Sequence, residues 1–135
     1  MSAQDFVVYD PMPNSHEVDA EGKTTRRNIV WMNDSVIKGA PHFMMTWYKQ
    51  PPLKSTGMDV HDCDEFIGFV GSDPEDPGNL NAKITVYYDG EWIRLTRSAI
   101  IFIPAGVKHC PYFMEDITKP VIHFSCCVEG NYQQK

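Results

Sequence analysis

The chain has 135 residues, enough for one domain and too few for two ordinary ones. Its hydrophobic content of 42% supports a real core, while a net charge of −6 with no basic block beyond Arg26-Arg27 excludes the footprint of a nucleic-acid or anionic-membrane binder. No apolar run approaches the length that spans a bilayer, and the first residues lack the basic and apolar regions of a secretory leader.

Residues 1–27 are polar with scattered apolar positions and read as an N-terminal arm, in which His16 is expected to be solvated. Residues 28–135 read as one β-domain. Proline and glycine punctuate the chain into short strand-like segments. "RNIVWM" (27–32) is β-rich, and "HFMMTWYK" (42–49) is apolar and aromatic and is stopped by Pro51-Pro52. "DEFIGFVG" (64–71) follows. "GSDPEDPGNLN" (71–81) is an acidic loop, read as solvated, with a lid over the domain's mouth as the alternative. "AKITVYYDGEWIRL" (82–95) is a hairpin with Asp89-Gly90 at its turn. "SAIIFIP" (98–104) and "KPVIHFSCCV" (119–128) complete the series. No segment carries a sustained helical period with caps. Short strands at this density indicate an all-β sandwich or small barrel.

The four cysteines, Cys63, Cys110, Cys126 and Cys127, show no spacing of a disulfide framework or a four-cysteine zinc site. They are expected to be reduced thiols, in a cytoplasmic protein.

Two segments carry the candidate chemistry. In "MDVHDCDEFIGFVG" (58–71), an extended chain places Asp59, His61, Cys63 and Glu65 on one face. Two carboxylates, an imidazole and a thiol do not make a hydrophobic core; they face solvent or a polar cavity. In "PAGVKH" (104–109), Pro104 ends a strand, Gly106 permits a sharp turn, and His109 begins the next strand. If both segments line one barrel, His109 meets His61 and Glu65 across it.

These two segments resemble the paired motifs of the cupin superfamily. The second cupin motif, G-x5-P-x-G-x2-H-x3-N, matches at Pro104, Gly106 and His109. The first, G-x5-H-x-H-x3-4-E-x6-G, matches at His61 and Glu65, with its closing glycine one residue early at Gly71. The resemblance covers residues 58–113. It departs at three places: Asp59 stands for the first histidine, Ser98 for the second motif's opening glycine, and Phe113 for its asparagine.

The resemblance implies a small cupin-type β-barrel (jelly roll) and a divalent metal, Fe, Mn, Ni or Zn, held by His61, Glu65 and His109 with Asp59 as a possible fourth ligand. Two imidazoles with one or two carboxylates suit those ions. An alternative set would use His61 and Cys63 with His109 and Cys110. His123 faces outward if Ile122 and Phe124 are core; if it faces the cavity, it is a candidate catalytic acid–base group. His42 is equally ambiguous. Tyr48, Trp47, Met44, Met45, Phe69, Phe102 and Tyr112 would wall an apolar ligand cavity or serve as plain core.

Two functions remain open at this point. One is a metal-dependent enzyme acting on a small organic molecule, for which the resemblance implies a dioxygenase, isomerase, decarboxylase or lyase type. The other is a non-catalytic small-molecule-binding or sensor protein with a degenerate metal site. In either case the resemblance implies a homodimer, formed through edge strands or with the N-terminal arm crossing to a partner.

Overall fold

The computed structural model of the chain describes residues 2–10, 16–53 and 57–128; parts of the expected arm (residues 11–15) and the last residues of the domain (129–135) lie outside them. The described residues contain one short 3-10 turn at Ala3–Phe6 and nine strands. The strands are β1 (His16–Val18), β2 (Thr24–Met32), β3 (His42–Tyr48), β4 (Glu65–Gly71), β5 (Asn79–Tyr88), β6 (Glu91–Arg97), β7 (Ala99–Ile103), β8 (His109–Glu115) and β9 (Val121–Cys127). The boundary expected at residues 27/28 falls inside β2, and His16, on β1, is exposed.

The strands form two antiparallel sheets. One has six strands in the order β1-β2-β3-β9-β4-β7, and the other has three in the order β6-β5-β8. The non-sequential order, with β9 between β3 and β4, is that of a jelly roll rather than a meander. No helix of the described residues is long and apolar enough to cross a membrane.

Strand alternation divides the residues between faces. On β9 the inward positions are Val121, His123, Ser125 and Cys127; on β4 they are Glu65, Ile67 and Phe69. The three-stranded sheet contributes Leu80, Ala82, Ile84, Val86, Tyr112 and Met114 to the same core, which closes on Tyr48, Ile103 and Val121 of the six-stranded sheet. The hairpin turn is the predicted one. Asp89 (φ 46°) and Gly90 (φ 92°) both adopt positive φ, as a two-residue type I′ turn requires.

Cross-strand register orders the interior in rows. Glu65, Cys127 and His42 form one row across β4, β9 and β3; Ile67, Ser125 and Met44 form the next, then Phe69, His123 and Thr46, then Gly71, Val121 and Tyr48. The polar residues thus gather towards one end of the six-stranded sheet, and the Leu80–Ile84–Phe69 core fills the rest. On the outer face, the Phe124 ring lies across Gly68, where any Cβ would fall 2.2 Å from a ring carbon.

Two expectations need correction. Residues 58–64 are not a strand: apart from a bridge at Asp59, β4 begins only at Glu65. The cysteines are not all reduced thiols: Cys63 and Cys127 form a disulfide, and Cys110 and Cys126 stand outside it. The pair is separated by 64 residues, so no local spacing announces it. The thiol-based argument for a cytoplasmic location lapses with it.

The acidic loop is pinned to the protein surface. The Lys119 ammonium lies 2.7 Å from the Asp73 carboxylate, and the Ser72 hydroxyl donates to the Pro120 carbonyl at 2.6 Å. The Lys119 contact also holds the Asp73 carboxyl below its usual range.

Candidate metal centre

The site is built where the loop before β4 meets the turn before β8. In that turn Gly106 adopts φ 86°, a region that suits glycine and few other residues. Its N–H donates to the His61 carbonyl at 2.9 Å, and the Ala105 N–H donates to the Asp64 carboxylate at 2.9 Å. Asp59 and His109 then exchange two backbone hydrogen bonds, of 2.8 and 3.0 Å. The disulfide at Cys63 ties the same loop to the end of β9. The irregular loop is therefore anchored on both sides of His61.

These anchors bring the candidate ligands together. His109 Nε2 lies 2.9 Å from Glu65 Oε1, and His61 Nε2 lies 3.7 Å from the same oxygen. Asp59, His61 and His109 each offer a donor atom, and these atoms lie within 4.8 Å of one another. His61, Glu65 and His109 are buried, and Asp59 is half-buried. The expected strand did not form at residues 58–64, yet the turn and disulfide direct Asp59 and His61 to the site that alternation would have given them.

The donor atoms suit a cation. The His109 ring donates from Nδ1 to the Val107 carbonyl at 3.0 Å, which leaves Nε2 as the lone-pair nitrogen. Glu65 Oε1 and Oε2 and His109 Nε2 are buried without a directed hydrogen bond, although Oε1 and Nε2 are close. A carboxylate withdrawn from water without donors is costly to hold. A divalent ion would satisfy both oxygens and the imidazole nitrogen together. Burial lowers the proton affinity of His109, but Glu65, the Val107 carbonyl and Asp59 outweigh it, and its pKa is raised. Protons and a metal would therefore compete for this nitrogen.

A cavity of about 160 Å³ opens beside these groups. His123 lines it and does not face outward. Its Nδ1 donates to the Gly68 carbonyl at 2.9 Å, and its ring stacks on Phe69 at 4.5 Å. Burial pushes its pKa down to about 4, against weaker upward pulls from the Gly68 carbonyl and Glu65, so the ring is neutral near pH 7. His42 is also buried, 3.1 Å from the Ser125 hydroxyl, and its pKa is lowered by burial.

The expected apolar wall is only partly present. Met44, Tyr48 and Tyr112 line the cavity, and Phe69 packs behind it in the core. Trp47 and Phe102 are 42% and 55% exposed on the outer face, because alternation turns them away from Tyr48 and Ile103. Met45 alternates with Met44 in the same way. The set with two cysteine ligands is excluded, since the Cys63 sulfur is committed to Cys127. Cys110 does share the cavity with His109: at φ 60° it breaks the alternation, and both residues are buried.

Sequence reading missed Arg26, Asn28, Thr46 and Ser125, which also line the cavity. The signal for Arg26 and Asn28 was present in the period-two pattern of β2, where Arg27 between them is exposed. It is obscured because β2 shifts register between Asn28 and Val30.

No protein-family model matches the sequence, and no curated protein does. Solved structures do match. Peruvianin-I, a cysteine peptidase from Thevetia peruviana latex, superposes with a TM-score of 0.61 at 12% identity, covering 100% of this chain and 78% of that one. Oxalate oxidase in complex with a substrate analogue, glycolate, gives 0.56 at 9% identity, over 93% of this chain and 61% of its own. A cupin-like protein from Thermotoga maritima gives 0.51 at 11% identity, over 82% and 74%. Likeness at such identities is likeness of fold, and it agrees with the strand order: the chain has the jelly-roll fold of cupin-type proteins.

Proposed function

We propose that the protein is a metal-dependent enzyme acting on a small organic molecule, with a divalent ion held by His61, Glu65 and His109 and with Asp59 as fourth ligand. The observation that carries this is the buried convergence of His109 Nε2 and His61 Nε2 on Glu65 Oε1, at 2.9 and 3.7 Å, with both Glu65 oxygens lacking a directed hydrogen bond. A bound ion of this kind supplies a Lewis acid or a redox centre. The donor set suits Fe, Mn, Ni or Zn. Around it the chain's own residues exclude water on the Phe69 side, and His123, neutral and fixed through Nδ1, is the candidate proton acceptor at its other ring nitrogen.

Metal analysis of protein purified without chelator tests the reading. One equivalent of one of these metals is expected per chain; metal-free protein that still binds a small molecule would instead favour the non-catalytic module. Asp59→Ala is expected to weaken metal affinity by about 10–100-fold or more, and Asp59→His to change affinity or metal preference. Unchanged metal content and affinity in both would remove Asp59 from the site.

We also propose a homodimer. The support is an apolar outer face on the six-stranded sheet, where Ile100, Phe102, Trp47 and Phe66 are exposed and adjoin Phe124 across β3, β9, β4 and β7. An exposed apolar face of this kind marks an interaction surface, and two-fold pairing with a second copy would cover it. Light scattering at micromolar concentration is expected to give twice the chain mass, and Phe102→Lys is expected to give the monomer. A wild-type monomer would refute the dimer.

A further inference from the structure

Arg26 enters the cavity from β2, with Asn28 beside it and Arg27 turned to solvent. Its place in the register is at the opposite end from the candidate ligands. Arg26 pairs with Tyr48, which lies in the row of Val121 and Gly71, whereas Glu65 lies three rows away beside Cys127, past the rows of Phe69 and Ile67. One cavity thus has carboxylates and imidazoles at one end and a guanidinium at the other.

One donor of the guanidinium lacks the partner that its position calls for. Arg26 Nε is buried without a hydrogen bond, and among the described residues no carboxylate forms an ion pair with it. A buried donor on a cation left unmatched is costly, and an anionic acceptor would relieve that cost. Within the cavity its neighbours include Asn28 and the Tyr48 and Tyr112 hydroxyls, which share a hydrogen bond at 2.5 Å; the carboxylate opposite it in register, Glu17 on β1, accepts from the Thr25 hydroxyl at 2.5 Å and the Leu53 N–H at 3.1 Å. Either tyrosine hydroxyl can turn its remaining capacity towards a ligand. The planar guanidinium fork matches a carboxylate in a way that a lysine does not. The cavity volume of about 160 Å³ is close to the roughly 150 Å³ that admits benzene elsewhere, so its occupant has about six non-hydrogen atoms.

We infer that the cavity binds a small organic carboxylate, its carboxylate held by Arg26 and its other end presented to His61, Glu65 and His109. The chemistry at that far end rests on the metal reading above, but recognition by Arg26 does not. In the metal-free protein Asp59 and Glu65 reinforce the orientation, since both repel a carboxylate that enters the wrong way round.

The test is calorimetric titration of butyrate and its neutral counterpart butyramide into the full chain, for wild type, Arg26→Lys and Arg26→Met, with metal content measured on each preparation. Wild type is expected to prefer butyrate by about tenfold or more, and Arg26→Met to weaken butyrate by about 10–100-fold and abolish the preference. Arg26→Lys should retain part of it, which separates lost charge from lost folding. Metal content should be equal in all three. The inference is overturned if wild type does not bind butyrate at millimolar concentration, if it binds butyrate and butyramide alike, or if Arg26→Met keeps wild-type affinity. Metal bound with no carboxylate preference would sink this inference and spare the metal reading; an Arg26-dependent preference in metal-free protein would do the reverse.

Discussion

His109→Ala is expected to abolish metal binding while the sandwich stays folded. The side chain supplies Nε2, which meets Glu65 Oε1 at 2.9 Å with no directed hydrogen bond to hold it there. Removing a direct ligand should cost more affinity than the roughly 10–100-fold typical of losing an outer partner of a ligand. The fold is insulated from the change. The backbone bridge to Asp59 is made by peptide groups that alanine keeps, and the turn at Gly106 is fixed by its own hydrogen bond to His61. What is lost structurally is the ring's bond to the Val107 carbonyl, worth about 1 kcal/mol, together with the buried ring's contact to the Glu65 carboxylate. The vacated space borders a polar cavity rather than the Leu80–Ile84–Phe69 core. The measurement is elemental analysis beside far-UV circular dichroism and urea unfolding. A folded variant with full metal content would remove His109 from the site, and a variant that fails to fold shifts the question to Glu65→Gln, which deletes the shared oxygen's charge and leaves the turn untouched.

How far the sequence carried depends on the range of each signal. The hairpin at Asp89-Gly90 and the turn at Pro104–Gly106 were legible because positive φ and glycine are properties of one or two residues. His109 was legible because the turn places it directly. Asp59 and His61 reached the site by a different route from the one alternation suggested. The loop at 58–64 is not a strand, but it is held against β8 and β9 by the Asp59–His109 bridge and the Cys63–Cys127 disulfide. Neither device has a local sequence signature, since each joins residues far apart in the chain. Arg26 was hidden for a similar reason. Its inward orientation follows from pairing with Tyr48, and β2 shifts register between Asn28 and Val30, so counting along the strand from its apolar part misassigns the faces. The sequence does not decide the face of His123, because Ile122 and Phe124 are apolar whichever way they point. The choice is made by the outer sheet face, where Gly68 leaves room for the Phe124 ring.

Acid should destabilise the metal-free protein well before its carboxylates are protonated, and His123 is the main cause. Burial holds its folded pKa at about 4, against 6.5 for the exposed ring. A histidine depressed in this way contributes stability that is fully present above the unfolded pKa. As the pH falls below 6.5 the unfolded chain takes up a proton that the folded protein refuses, and the loss accumulates until about pH 4. A shift of this size corresponds to roughly 3 kcal/mol, a large share of the stability of a small domain. His42, also lowered by burial, adds in the same direction. His109 acts oppositely. Its raised pKa gives a contribution that is complete below 6.5 and fades as the pH rises through the folded value, so it flattens the curve near neutrality without protecting the acid side. Urea unfolding in chelator at pH 7.5, 6.0, 5.0 and 4.5 should show a steep fall across the last three points. His123→Asn keeps a side-chain donor for the Gly68 carbonyl and cannot titrate in this range, so it should be weaker than wild type at pH 7.5 yet lose much less on acidification. Equal slopes for the two proteins between pH 6.0 and 4.5 would show that His123 is not the buried neutral ring described here, and would remove it as the cavity's proton acceptor at the same time.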